Sequence, residues 1–167
     1  YKNFNRFIEA FSLLAQKDSK LYLICTGNKF SQGEEDKLSK LHIKNKTLQI
    51  NASDKELSEL YTRASLFVFP SLYEGFGIPI LEAYACHCPI AISNTSCFPE
   101  IAGDAAIYFD PYSVKDIANT IEAIIYNPQK ANELIQKGIK RLELYSWEKT
   151  VVETEETYKK AIQGYNF

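Results

Sequence analysis

Two carboxylates eight positions apart, Glu74 and Glu82, sit either side of a glycine-rich turn in the run FPSLYEGFGIPILEAYACHCPI, residues 69–90. Gly75, Phe76, Gly77, Ile78 and Pro79 lie between an apolar run and a second apolar run with helical character. A helix N-terminus carries unpaired N–H groups and about half a positive charge, so it attracts phosphate. Glycines at Gly75 and Gly77 remove side chains that would hold an anion away from those amides, and they permit positive φ. Pro79, near the first helical turn, gives up no needed donor. A tight strand-to-helix turn with no ligand would use the same glycines. The acids add chemistry that a plain turn does not need. Carboxylates are poor partners for phosphate and good acceptors for paired sugar hydroxyls. An acid on each side of a phosphate cradle suits a ligand with a hydroxylated ring at each end, the layout of a nucleotide-sugar: ribose, diphosphate, hexose. A solvated helix position is the plain alternative for Glu82. Its neighbours Leu81, Ala83, Tyr84 and Ala85 argue instead for a largely buried helix.

The elements that position this turn follow from periodicity. Phe4, Phe7, Ile8, Phe11 and Leu14 recur at helical spacing, with Asn3 as the expected N-cap. Short apolar runs at 20–27, 47–50, 66–69, 89–93 and 106–109 read as strands, two of them closed by Pro70 and by Asp110-Pro111. Helical patterns fall between them: a weak one at 33–43, one opened by the capping box Ser53–Glu56 with Leu57, Leu60, Tyr61 and Ala64 as its apolar face, and one from 78 to about 86. The stretch 96–103 reads as a loop with one helical turn. Ile117, Ile121, Ile124 and Ile125 mark a helix that stops at Asn127-Pro128, and two more helices follow at 129–144 and 147–163. Continuous apolar strands alternating with helices predict an α/β domain: a Rossmann-like parallel sheet covered by helices on both faces. In such sheets ligands bind beyond the carboxyl ends of the strands, where the 70–77 loop falls.

Bulk properties narrow the class. The chain has 167 residues, 46% of them apolar, enough for one domain with a real core. A net charge of −2 argues against a nucleic-acid partner. Cys25, Cys86, Cys88 and Cys97 are scattered through apolar contexts and read as buried thiols of a reducing, cytoplasmic setting. One residue between Cys86 and Cys88 is poor spacing for zinc, and no metal is expected. His42 reads as an exposed helix residue. Glu100 reads as a structural turn residue, and Trp147 is expected to pack.

PSLYEGFGIPILEAYAC, followed by PIAISNTSCFPEIAG, resembles the donor-binding domain of the retaining glycosyltransferases of family 4, the "glycosyl transferases group 1" type. Glu, seven residues, Glu is that family's signature, met here by Glu74 and Glu82. YKNFNRFIEAF, SDKELSELYTRASLFVFPS and YSWEKTVVETEETYKKAI extend the likeness from Lys2 to about Tyr158. The resemblance implies one half of a two-domain GT-B enzyme that moves a hexose from a nucleotide-diphospho-sugar donor to a hydroxyl acceptor, in polysaccharide or glycoconjugate assembly. It assigns Lys2 to the donor diphosphate, Glu74 to the hydroxyls of the transferred sugar, and the N–H groups of Phe76, Gly77 and Ile78 to sugar and phosphate. Glu82 would hold the ribose, Gly27 would keep the cleft floor open, and backbone at Asn51 and Ala52 would read the base. For Gly27 a plain turn glycine, and for Lys2 an exposed lysine, remain open. No cofactor is implied. Residues 1–167 then form a single truncated donor domain, lacking its first strand and the acceptor-binding domain, and inactive alone. The full enzyme would be cytoplasmic, with peripheral association at the inner face of the membrane allowed. A non-catalytic nucleotide-binding module and a nucleotide-sugar epimerase are the alternatives. The chain departs from the family's pattern where His87 replaces a glycine and where the glycine before SDKE is missing.

Overall fold

The structure, a computed structural model, describes residues 1–164. Elements alternate as read: α1 (Phe4–Lys17), β1 (Leu23–Thr26), α2 (Gln32–Lys40), β2 (Thr47–Ile50), α3 (Asp54–Arg63), β3 (Phe67–Phe69), α4 (Ile78–Ala85), β4 (Ile90–Ser93), α5 (Phe98–Ala102), β5 (Ile107–Phe109), α6 (Val114–Ile125), α7 (Pro128–Leu142) and α8 (Trp147–Gly164). All strand pairs are parallel, and the fold is Rossmann-like α/β. The ladder comes in two pieces, β1–β2 and β3–β4–β5, where the apolar runs alone suggest one continuous sheet.

Helices cover both faces, and β4 shows why. Each of its four residues is buried. Ile90 and Ile92 point into a core with Ile80, Ala83 and Tyr84 of α4 and Phe98 and Ile101 of α5. Ala91, between them, points the other way, to Phe7, Ala10 and Leu14 of α1 and Ile117 and Ile121 of α6. Each fully buried isoleucine there is worth roughly 1.5–3 kcal/mol over an exposed one. A third cluster joins Ile8 and Phe11 of α1 to Leu38 of α2 and Ile43.

Local chemistry sets the ends. The box expected at Ser53–Glu56 forms, and Ser31–Glu34 makes a second that starts α2 one residue before the 33–43 pattern. Asn3 does not cap α1 by its side chain. It is left-handed, and its Nδ2 donates to Pro111 O instead. Ala64 lies exposed past the end of α3, outside the apolar face. Trp147 is 76% exposed and does not pack.

Both histidines terminate helices. His42 (φ 58°) and His87 (φ 56°) are left-handed. Behind His87, the His87 N–H reaches Tyr84 O and the Cys88 N–H reaches Ala83 O, the doubly bonded close of a Schellman motif. His42 and Ile43 repeat it onto Ser39 O and Leu38 O. His42 therefore ends α2 rather than lying on it. The backbone at His87 keeps the conformation that glycine favours, at a cost near 1–2 kcal/mol for a residue with Cβ. His87→Gly is expected to stabilise the domain by about 1 kcal/mol, read as a higher urea midpoint at unchanged slope. An unchanged or lower midpoint would mean that the exposed imidazole makes up the backbone cost.

Candidate functional site

β3 ends at Phe69 and α4 begins at Ile78, so residues 70–77 cross the carboxyl rim of the sheet. Gly77 occupies the cap position at φ 102° with no side-chain cap. The N–H groups of Gly75, Phe76, Gly77 and Ile78 donate to no backbone or side-chain acceptor among the described residues. Four successive amides stay free because Gly77 has no side chain to fold back on them and Pro79 starts the helix without a donor. That is an anion cradle in geometry.

Glu74 is fixed at the mouth of this turn. Its Oε1 accepts from the buried Ser71 hydroxyl at 2.8 Å and lies 3.2 Å from Lys2 Nζ. The carboxylate is 19% exposed, and Lys2 is 60% exposed, free to swing. Glu82 is half-buried on α4, where the Tyr61 hydroxyl of α3 donates to its Oε2 at 3.4 Å. Burial, and then the neighbouring Glu82, push the Tyr61 phenol well above its ordinary range, so it stays a donor. Phe76 is 42% exposed and meets Tyr145 edge-on, with ring centroids 5.9 Å apart.

The loop is stapled from behind by residues that the sequence reading left without a role. Ser96 Oγ donates to Glu74 O at 2.8 Å and accepts from Glu74 N–H at 3.3 Å. Cys97 Sγ meets Glu74 O at 3.3 Å and Phe76 O at 3.0 Å. Thr95 Oγ1 donates to Leu72 O at 3.3 Å. The carbonyls of Leu72, Glu74 and Phe76 and the Glu74 N–H are thus drawn toward residues 95–97. These partners lie more than twenty positions along the chain, beyond the reach of a local pattern; the hydroxyl and thiol run Thr95–Cys97 before Phe98-Pro99 is the one available signal.

Gly27 (φ 124°) follows β1, and its N–H donates to Ile50 O, the last residue of β2. Asn51, exposed, and Ala52, half-buried, come next on β2 and open α3. Gly27, Asn51 and Ala52 therefore share one patch, apart from the Glu74 loop: no hydrogen bond or ion pair among the described residues joins the two. α3 is the connection, running from that patch to Tyr61 beside Glu82. Beside the loop, on its other flank, a hollow of ~410 Å³ opens between Asn94, Thr95, Asp110 and Tyr112 at the ends of β4 and β5.

Apart from Cys97, the thiols are separate from this chemistry. Cys88 Sγ faces Ala64 O, and Cys86 Sγ lies 3.5 Å from Ser58 Oγ. Burial pushes Cys25 and Cys88 up to about 12, so both remain neutral thiols near pH 7. Glu100 is exposed, and it is its carbonyl that accepts from Arg141.

Residues 1–141 match the family model described as glycosyl transferases group 1. O-antigen chain mannosyltransferase B of Escherichia coli is 38% identical over 106 residues, covering 64% of this chain and 28% of that protein. Serotype-specific mannosyltransferase WbdA of Escherichia coli is 29% identical over 169 residues, covering 98% of this chain and 21% of that protein. The chain thus spans about a quarter of the length of these curated relatives. A glycosyltransferase from Rickettsia africae ESF-5 superposes at a TM-score of 0.84 with 17% identity, covering all of this chain and 46% of that one.

Proposed function

The chain belongs to the glycosyl transferases group 1, and on that premise we propose that it is the donor-binding half of a retaining enzyme that transfers a hexose from a nucleoside diphosphate to a hydroxyl acceptor. The observation that carries this reading is the row of free amides from Gly75 to Ile78, with Glu74 at one end and Glu82 one turn into the helix at the other. The donor's diphosphate sits on those amides. Lys2 leaves Glu74 to join it, a short swing for an exposed lysine. Glu74, released from Lys2 but still held by Ser71, accepts the hydroxyls of the transferred sugar. Glu82, oriented by Tyr61, accepts the ribose hydroxyls. Gly27, Asn51 and Ala52 border the base. As the sugar's anomeric bond breaks, charge grows on the departing diphosphate, where preorganised amides and a lysine lower the barrier without reorganising. In this reading amides and Lys2 carry that charge, and no metal or cofactor is required.

The hexose to test first is mannose, because the E. coli relatives are named mannosyltransferases. Their names also support a place in polysaccharide assembly, in the cytoplasm or peripherally at the inner face of a membrane. No helix of the described residues is long and apolar enough to cross a membrane. The acceptor falls to a further domain. α8 fits such a partner: none of its described residues is buried, and Trp147, Val151, Val152, Tyr158 and Ile162 are all more than half exposed. Alone, the 167-residue chain is expected to bind donor weakly and to transfer nothing; measurable hexose transfer by it would overturn the division of labour.

A thermal-shift panel of nucleoside diphosphates and nucleotide-sugars tests the reading. A true ligand at a hundred times its dissociation constant adds about 2.7 kcal/mol of stability. Glu82→Ala should abolish most of that gain for ribonucleotides. If it leaves the gain intact, a phosphate-binding module that ignores the ribose describes the chain better. An epimerase would need acid and base groups beside the sugar, and the two histidines sit instead at the ends of α2 and α4.

A further inference from the structure

Two of the free amides in the turn belong to peptides that covalent geometry does not hold. Each of these peptides precedes a glycine: Glu74–Gly75 and Phe76–Gly77. Rotating a peptide by about half a turn changes only ψ before it and φ after it, the change that separates type I from type II turns. A glycine after the peptide accepts either value. One orientation aims an N–H at an arriving anion, and the other aims a carbonyl oxygen at it. The choice has to come from outside the loop.

Residues 96 and 97 make that choice. In a planar trans peptide the C=O and the following N–H point in opposite directions. The Cys97 thiol reaches Phe76 O at 3.0 Å and Glu74 O at 3.3 Å, sharing its one hydrogen between them. Ser96 Oγ donates to Glu74 O at 2.8 Å. Both carbonyls therefore converge on one side of the loop, and the N–H groups of Gly75 and Gly77 turn to the other. The Ile78 amide is set separately. Gly77 O accepts from Ile80 N–H at 2.9 Å, so the peptide it belongs to turns the Ile78 N–H back out of α4.

The pair is anchored, and its backbone is not that of a plain turn. Cys97 occupies the cap position of α5, yet its thiol makes no cap bond and reaches across to the loop instead. Phe98, Ile101 and Ala102 root α5 in the core. Ser96 is left-handed at φ 56°, a conformation that glycine takes without strain and serine does not. A segment that only had to turn would be better served by glycine. Serine adds two hydrogen bonds to the Glu74 backbone that glycine cannot make.

We infer that Ser96 and Cys97 are positioning residues for the anion cradle: they lock the Glu74–Gly75 and Phe76–Gly77 peptides with both N–H groups turned away from residues 95–97, toward the ligand. This rests on the proposed reading that the donor's diphosphate lies on this turn. Without the lock, either peptide presents its carbonyl to the anion for part of the time, and apparent affinity falls in proportion to the fraction correctly turned.

NMR and pyrophosphate binding on the 167-residue chain test it, with Ser96→Gly, Cys97→Ala, the double variant and Cys97→Ser. Couplings and Hα-to-amide contacts report ψ before and φ after each peptide. The native chain should show one orientation, and the double variant a mixture at both peptides. If about a tenth of the double variant is correctly turned, its affinity for inorganic pyrophosphate falls about tenfold. Cys97→Ser keeps a donor and should stay within about threefold of the native affinity. Ser96→Gly separates positioning from folding, because it removes an exposed side chain and relieves the left-handed backbone. Its urea midpoint should hold or rise while pyrophosphate affinity falls by at least about threefold. Native dihedral angles at both peptides in the double variant would overturn the inference. So would a Cys97→Ser variant as weak as Cys97→Ala, or an affinity that drops only where the midpoint drops. Should the double variant not fold, the same readouts on the single variants decide. If the native chain binds no pyrophosphate, the donor reading fails, and the dihedral angles still decide whether the lock exists.

Discussion

Gly138→Ala destabilises this domain by about 2 kcal/mol, although alanine is the better helix former. The two effects oppose each other, and their sizes decide the sign. Gly138 lies inside α7, where replacing glycine by alanine ordinarily gains about 0.8–1.0 kcal/mol. A Cβ there would stand 2.9 Å from Tyr84 Cε1 and closer still to Cδ1. Tyr84 is 2% exposed and sits in the core of α4, α5 and β4, so its ring has no space to retreat into. Overpacking a filled core costs about 1–3 kcal/mol, and a clash with an aromatic ring lies at the upper end. Gly138→Leu should leave the chain unfolded at room temperature. The cause is checked by a cycle: adding Tyr84→Leu to Gly138→Ala removes the ring that the methyl strikes. The double variant should be more stable than the sum of the two single changes predicts, by at least about 1 kcal/mol in urea denaturation. Additive losses would show that the α4–α7 contact does not set this glycine. Tyr84 also carries a buried hydroxyl without a hydrogen-bond partner among the described residues, so its own truncation costs packing and none of their hydrogen bonds.

Periodicity made nearly every element visible, because most of the helices bury one stripe and most of the strands are largely apolar. Ends were less legible where side chains compete for the backbone. The run 20–27 yields a strand only from Leu23, since Asp18 draws the N–H of Lys20 to its carboxylate and that of Leu21 to its carbonyl. The split in the sheet was hidden for another reason: a strand with one missing neighbour has the same apolar composition as one with both. Within the site, Glu74, Gly75, Gly77 and Glu82 could be read because their chemistry lies within a single turn and the helix after it. Ser96, Cys97 and Tyr61 could not be read as a group, because only the folded chain brings residues 96–97 to the Glu74 loop and α3 to Glu82 of α4. His87 is a case where a residue atypical for its position leaves the geometry intact: the left-handed cap is held by two backbone hydrogen bonds that no side chain disturbs.

The two loop glycines separate folding from ligand approach. Gly77 has φ 102°, and a Cβ on it would meet Ile80 Cδ1 at 3.1 Å and the Phe98 ring at 3.4 Å. Gly77→Ala therefore strains the backbone and crowds the core, a loss of about 2 kcal/mol. It also reorients the Gly77 and Ile78 amides, so donor binding should fall below detection. That variant alone is ambiguous, since a weakened fold and a spoiled cradle look alike. Gly75 resolves it. Its φ is outside the left-handed range, and a Cβ there meets nothing within 4 Å. Gly75→Val should change stability by no more than about 0.5 kcal/mol, as ordinary surface substitutions do. If the diphosphate rests on bare backbone, the branched side chain stands in its path and affinity drops at least about tenfold. At a ligand concentration a hundred times the original dissociation constant, the stabilisation then falls from about 2.7 to about 1.4 kcal/mol. A Gly75→Val chain that folds normally and keeps the full ligand shift would mean that the anion does not lie against this turn. The row of free amides, on which the functional reading depends, would then need another explanation.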